Sequence, residues 1–128
     1  QEGAYRQPFG GQSLNSLEFA HSVVEAIEEK MGASILLLDL VRISTLTDYY
    51  VIATAGGERH LRALARAVAD LGEYKRKTGM RDVDQQVESG WVLVDLGDVI
   101  VHLFVRQQRE YYGLEKLWSH GKVLLRVQ

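Results

Sequence analysis

The chain of 128 residues contains no cysteine, and this absence excludes several kinds of chemistry at once. Without a thiol there is no disulfide, no cysteine nucleophile and no thiolate metal site, so the composition fits a reducing compartment. Long apolar runs are also missing. None approaches the roughly 18 residues of a membrane helix, which predicts a water-soluble protein. The hydrophobic fraction of 46% and the charged fraction of 25% are those of a single globular domain.

The chain also has little net charge. Its formal charge is −2, whereas a protein that binds nucleic acid mainly through phosphates is usually basic. Residues 58–81 are an exception, with seven Lys/Arg against three acids. Within them Arg59, Arg62 and Arg66 form one stripe on a predicted helix. A solvated helix face is the favoured interpretation, and a patch close to RNA is the alternative.

The familiar catalytic signatures are absent. The sequence has no G-x-x-x-x-G-K-[ST], no G-x-G-x-x-G and no G-x-S-x-G, and its four histidines lack metal-ligand spacing. The sequence therefore predicts no cofactor and no metal. His102, in an apolar strand beside Ile100 and Phe104, is interpreted as a core or rim residue.

A nucleotidyltransferase is the enzyme that the sequence most nearly suggests. Such enzymes pair a glycine-rich turn with a D-x-D motif that holds magnesium. Gly56-Gly57 and Asp82-Val83-Asp84 supply both pieces, but 24 residues separate them. Glu58 would also repel an anion at the start of the following helix. A structural turn and solvated acids are the favoured interpretations.

The apolar pattern predicts an α/β fold, with a mixed sheet of about five strands flanked by helices. Residues 1–14 are expected to be a flexible segment that precedes one domain, 15–128. Asn15 and Glu18 have the spacing of a capping box at the start of the first helix. Residues 75–90 are the least structured-looking interior segment. The other predicted elements are strands at 34–41, 48–55, 91–96, 99–105 and 122–127, and helices at 58–75 and from about Arg106.

The stretch REYYGLEKLW (109–118) combines aromatic, apolar and charged residues. If Tyr111 and Tyr112 lie on a helix, they point about 100° apart, so one can pack inward while the other is presented. Tyr, Trp and Arg dominate protein–protein hot spots. By composition alone, a packing segment and a partner surface remain equally favoured.

Four segments together resemble the ribosomal silencing factor family, also called the Iojap family. They occur in the order that is typical of the family and cover most of residues 16–126. They are LTDYYVIATA (46–55), ERHLRAL (58–64), WVLVDLGDVIVHLF (91–104) and REYYGLEKLW (109–118).

The resemblance implies a non-enzymatic homodimer whose fold is similar to nucleotidyltransferases but lacks their catalytic acids. Such a protein is expected to bind ribosomal protein L-fourteen on the large subunit and to block joining of the small subunit. Translation is thereby repressed when nutrients are limiting. A role in large-subunit assembly is the alternative within the family. A cytoplasmic location is expected in a bacterium, and organelle stroma or matrix in a eukaryote.

By position within those motifs, the resemblance also implies a partner-binding surface. Its residues are Trp91, Asp95, Arg109, Tyr112, Leu114, Glu115 and Trp118. Two places depart from the common family pattern: Ala55-Gly56-Gly57 lacks the usual serine, and Glu88-Ser89-Gly90 replaces a Glu-Gly pair.

Overall fold

The architecture is an α/β fold built on one mixed sheet. A computed structural model describes residues 12–72, 80–113 and 121–128 of the chain. Their elements, in chain order, are α1 (Gln12–Glu29), β1 (Ala33–Asp39), β2 (Tyr49–Ala55), α2 (Glu58–Leu71), α3 (Met80–Ser89), β3 (Trp91–Asp95), β4 (Val99–Val105), α4 (Arg106–Tyr112) and β5 (Lys122–Val127).

The five strands form a single sheet in the order β3-β4-β2-β1-β5. β2 and β4 are parallel neighbours, whereas the β3–β4, β1–β2 and β1–β5 pairs are antiparallel. The predicted mixed five-stranded sheet is therefore confirmed.

A tight turn at Gly97 and Asp98 sets the register of the β3–β4 hairpin. The Leu96 N–H donates to the Val99 carbonyl at 2.9 Å, which closes the turn. Gly97 has a φ of 92°, the left-handed region that the first central position of a type II′ turn requires. From this turn, the register places Trp91 opposite Phe104.

The helices α1, α2 and α3 cover one face of the sheet, and this layer holds the larger part of the core. Apolar residues at helical spacing on each helix meet every second residue of the strands. The main members are Val23, Ile27, Leu61, Leu64, Val68, Val83 and Val87 from the helices, and Leu37, Val51, Ala53, Val92, Val94, Val101 and Leu103 from the strands.

The opposite face of the sheet carries a smaller, more aromatic cluster. Leu38, Ile52 and Phe104 are buried there, and Tyr50 and Trp91 pack against them at partial exposure. Helix α4 contacts β4 and β2. The two faces of the sheet thus differ in chemistry, and the aromatic face carries Trp91 and Asp95 of the residues predicted to bind a partner.

Three predictions that the sequence analysis made about the helices are wrong. Helix α1 begins at Gln12, so Asn15 lies inside it and cannot act as its N-cap. Helix α2 ends at Leu71, before the predicted position 75. Residues 80–89, expected to have little structure, form α3. Val83 and Val87 lie four residues apart on α3 and are both buried. This packing stabilises the helix even though most of the segment is polar.

Candidate functional site

An aromatic cluster occupies the second face of the sheet at the β3 side. The rings of Trp91 and Phe104 are stacked with centroids 5.1 Å apart, and Tyr112 from α4 lies 4.6 Å from Trp91. His102 and Tyr50 extend the cluster along β4 and β2, with ring centroids 4.6 Å apart. We call these five residues the aromatic patch. Phe104 is fully buried and Tyr112 is 45% exposed, so the patch grades from core to solvent.

His102 is held in one neutral tautomer within the patch. The indole Nε1–H of Trp91 donates to its Nδ1 at 3.2 Å, so the ring proton resides on Nε2. The side chain is only 3% exposed. Burial lowers its pKa to about 4, because a charged imidazole loses hydration in the interior. The Nε2 atom is buried and finds no hydrogen-bond partner among the residues that the structure describes. In agreement with the sequence interpretation, His102 is a core residue.

Asp95 lies at the end of β3, on the rim of the aromatic patch. Its Oδ1 accepts a hydrogen bond from the Gly97 N–H at 2.9 Å, which supports the hairpin turn. The pKa of the nearby Tyr50 is raised, first by burial and then by the negative charge of Asp95. A half-buried carboxylate therefore borders the aromatic rings.

Arg109 lies in the interior, in contrast to the other predicted contact residues that the structure describes. Its side chain is 9% exposed and donates from Nη1 to the Ser34 carbonyl at 2.5 Å and to Thr54 Oγ1 at 2.8 Å. Arg109 thus anchors α4 to β1 and β2. Its assignment as a direct partner contact stays a prediction.

The other three predicted contact residues, Leu114, Glu115 and Trp118, lie outside the described residues. Gly113, which directly precedes them, ends α4 in the left-handed conformation. Its N–H donates to the Arg109 carbonyl at 3.0 Å. The structure therefore brings Trp91 and Tyr112 of the predicted surface into contact, and it places Asp95 on the same face of the sheet, near Tyr50.

The predicted basic stripe lies on the other side of the sheet. Helix α2 packs through Leu61 and Leu64 on the face opposite the aromatic patch. Arg59 and Arg66 are exposed, and the Arg62 guanidinium pairs with Asp84 Oδ1 at 3.0 Å. The aromatic patch and the stripe cannot form one continuous site, because the sheet separates them.

The two motifs that suggested a nucleotidyltransferase, Gly56-Gly57 and Asp82-Val83-Asp84, are not arranged as that chemistry requires. Asp82 and Asp84 both lie on helix α3, where positions two apart differ by about 200° around the axis. The D-x-D pair of such an enzyme lies on a strand, where residues two apart share one face, whereas residues 82–84 belong to a helix. The Gly56 N–H is already used, since it donates to His60 Nδ1 at 2.8 Å.

Among the described residues, no group of three or more His, Asp or Glu side chains is arranged to hold a metal ion. No helix within the described ranges is long and apolar enough to cross a membrane.

The pairing of Trp91 with His102 is the main feature that sequence reasoning missed. The sequence does indicate this pairing through the two-residue turn at Gly97-Asp98. Because the turn fixes the register of the two strands, Trp91 lies opposite Phe104 and Leu93 lies opposite His102. Trp91 and His102 are therefore diagonal neighbours on one face of the hairpin, within reach of large side chains.

Comparison with known proteins identifies relatives that span almost the whole domain. The family model described as "Ribosomal silencing factor during starvation" matches residues 13–127. The ribosomal silencing factor RsfS of Bacillus subtilis is 35% identical over 106 residues, which cover 83% of this chain and 89% of that protein. The chloroplastic protein Iojap of Zea mays is 34% identical over 105 residues, 82% of this chain and 45% of that protein.

The fold is shared with a solved relative. A crystal structure of a Chromobacterium violaceum protein superimposes with a TM-score of 0.70 at 30% identity, covering 80% of this chain and 85% of that one. The match of sequence across residues 13–127 and the shared fold lead to one conclusion. The chain belongs to the ribosomal silencing factor family.

Proposed function

We propose that this protein is a non-enzymatic silencing factor that binds the large ribosomal subunit at ribosomal protein L-fourteen. Bound there, it blocks joining of the small subunit and represses translation under nutrient limitation. Membership of the silencing factor family supports the ribosome as the target. The protein then acts in the bacterial cytoplasm, or in the organelle stroma or matrix of a eukaryote.

The observation that carries the proposal is the partial exposure of the aromatic patch. Tyr112 is 45% exposed while its ring contacts Trp91, and the adjacent Tyr111 is 79% exposed. Large, ordered aromatic rings with an open edge are the residue type that dominates protein–protein hot spots. Two such tyrosines on one short helix provide an anchor for a protein partner.

Electrostatics favour a basic partner at this surface. Asp95 borders the patch, and the chain as a whole has a formal charge of −2. Complementary charge speeds encounter and fixes orientation more than it adds affinity. Leu114, Glu115 and Trp118 follow Gly113 directly in the chain and are proposed to extend the same surface. Arg109 contributes by holding α4 against the sheet.

Contact with ribosomal RNA is proposed as accessory. Arg59 and Arg66 are exposed on α2, so they are available to phosphates, whereas Arg62 is engaged by Asp84. Because the stripe lies behind the sheet, such a contact would involve a different part of the ribosome from the partner of the aromatic patch. We also propose a homodimer, as the family resemblance implies, and light scattering during size-exclusion chromatography measures the mass directly.

Sedimentation of the purified protein with ribosomal subunits tests the function. We expect co-migration with large subunits on a sucrose gradient and a loss of joined ribosomes when small subunits are added. The Tyr112→Ala variant should weaken binding by roughly tenfold or more, the range of a hot spot. Val123→Ala is the matched control, because Val123 is 43% exposed on β5 at the opposite edge of the sheet.

The outcomes separate the candidate functions. A Tyr112→Ala protein that is folded by circular dichroism and still blocks joining as well as the control contradicts the assigned surface. Co-migration with large-subunit precursors, with joined ribosomes unaffected, indicates an assembly factor. Failure of the folded wild-type protein to co-migrate with any large particle removes the ribosome as its target.

A further inference from the structure

A cavity of about 580 Å³ opens at the β1–β5 side of α4 and is lined by three arginines. Arg106 and Arg109 come from α4, and Arg126 comes from β5. Thr54 from β2, Ser34 from β1 and Glu110 from α4 also line it. This cavity is distinct from the aromatic patch.

On the β1 side, this cavity is lined at a β-bulge that contains Ser34. Between the pairs Ala33–Thr54 and Leu36–Ile52, two residues of β1 face one residue of β2, which is a β-bulge. Ser34, in the bulge, has a φ of 49°, a left-handed conformation that is unfavourable for a residue with a Cβ atom. Its carbonyl accepts the hydrogen bond from Arg109. The strained backbone of Ser34 and the buried guanidinium of Arg109 are therefore joined directly by this hydrogen bond.

The polar groups of the cavity are suited to an anion. Arg109 is nine-tenths buried and held by its hydrogen bonds to Ser34 and Thr54, so it adds a fixed positive charge to the cavity. Arg106 and Arg126 are exposed, and neither forms an ion pair with another residue in the described part of the chain. Thr54 accepts from Arg109, so its hydroxyl can still donate its own hydrogen. Glu110 is the single carboxylate among the described residues of the lining.

We propose that this cavity binds a phosphate group. Guanidinium groups match phosphate oxygens in pairs, and several of them together suit a ligand with more than one negative charge. The volume falls within the roughly 300–1,000 Å³ of small-molecule sites, which accommodates a ligand as large as a mononucleotide. The phosphate can belong to a free nucleotide or to RNA. The site does not depend on the proposed binding to the large subunit.

Calorimetric titration of the full chain at low salt tests the site. The probes are inorganic phosphate, pyrophosphate, AMP without magnesium, and a short single-stranded RNA. The test variant is Arg106→Gln/Arg126→Gln. The matched control is Arg42→Gln/Lys122→Gln, which removes the same charge from exposed positions at the other end of β1 and β5. We expect the test variant to weaken binding about tenfold for each guanidinium, with the control unchanged.

Nuclear magnetic resonance locates the ligand independently of affinity. Amide signals of Thr54, Arg106 and Gly113 should shift on titration with AMP or pyrophosphate, while those of α2 should not. Binding of AMP that the test variant loses assigns the site to free phosphorylated ligands. Binding of RNA alone, lost in the same variant, assigns it to RNA phosphates.

Two results overturn the proposal. One is the absence of heat and of amide shifts with every probe at millimolar concentration. The other is an equal loss of binding in both double variants, which would show general attraction to positive charge. Neither result affects the proposed action on the ribosome, since sedimentation with Tyr112→Ala tests that separately.

Discussion

The indole Nε1–H of Trp91 donates a hydrogen bond to Nδ1 of His102 across the β3–β4 hairpin, at 3.2 Å. Trp91 is half-buried at the edge of the sheet, whereas His102 is almost fully buried. The bond fixes the orientation of the indole, whose ring also stacks on Phe104 at 5.1 Å and contacts Tyr112 at 4.6 Å. A residue in the core thereby holds in place an aromatic ring of the proposed partner surface.

Removing the indole donor should destabilise the fold. We expect Trp91→Phe to lower the free energy of unfolding by about 2 kcal/mol, because Nδ1 of His102 loses its partner while the stacking remains. Urea unfolding followed by circular dichroism measures the change. A double-mutant cycle with His102→Leu should give a coupling of about 1 kcal/mol, and a coupling near zero would contradict the bond.

Stability should fall in mild acid because of His102. Its folded pKa is about 4, whereas an unfolded histidine titrates near 6.5, so the unfolded state binds more protons between these values. The contribution of His102 is therefore fully present above about pH 6.5 and is lost as the pH falls towards about 4. We expect the free energy of unfolding to be about 2 kcal/mol lower at about pH 5 than at about pH 7.5.

The control for this pH dependence is His102→Asn. Its side-chain oxygen can accept from the Trp91 indole but does not titrate. Other groups, such as Asp48 with its raised pKa, are common to both proteins and cancel in the comparison. Equal losses of stability in the two proteins between these pH values would show that His102 is not responsible.

The strands and the hairpin follow closely from local sequence. The β4 segment Val99–Val105 and the β5 segment Lys122–Val127 have the predicted bounds, and Gly97-Asp98 forms the turn between the predicted strands 91–96 and 99–105. The alternation of apolar residues in a strand and the residue types of a tight turn involve only a few neighbouring positions. Both can therefore be predicted without knowledge of tertiary contacts.

Features that depend on distant partners could not be predicted in this way. Helix α3 is stabilised by burying Val83 and Val87 and by Gln86, whose Oε1 accepts from the Leu93 N–H at 2.8 Å. Arg109 appears in a motif full of surface-type residues. Its burial depends on a hydrogen bond to the carbonyl of Ser34, which lies 75 residues earlier in the chain. The sequence around Arg109 does not indicate the bulge at Ser34.

Arg109 should contribute more to stability than its neighbour Arg106. We expect Arg109→Met to cost about 3 kcal/mol, because two hydrogen bonds from a charged, buried group are lost and their acceptors remain. Arg106→Met, at an exposed position of the same helix, should change stability by no more than about 0.5 kcal/mol. Arg109→Lys keeps the charge but not the fork and should recover less than half of the loss. Chemical denaturation would contradict the anchoring role if the two Met variants were equally stable.

Ser34 should be a position where glycine stabilises the protein. At a φ of 49° the Cβ atom is unfavourably placed, and glycine removes that cost while retaining the carbonyl that binds Arg109. The gain in free energy of unfolding should be about 0.5 kcal/mol, since glycine also makes the unfolded chain more flexible. Ser34→Ala is the matched control, because it removes the hydroxyl but keeps the Cβ. If urea unfolding finds Ser34→Gly no more stable than Ser34→Ala, the left-handed backbone at the bulge carries no strain.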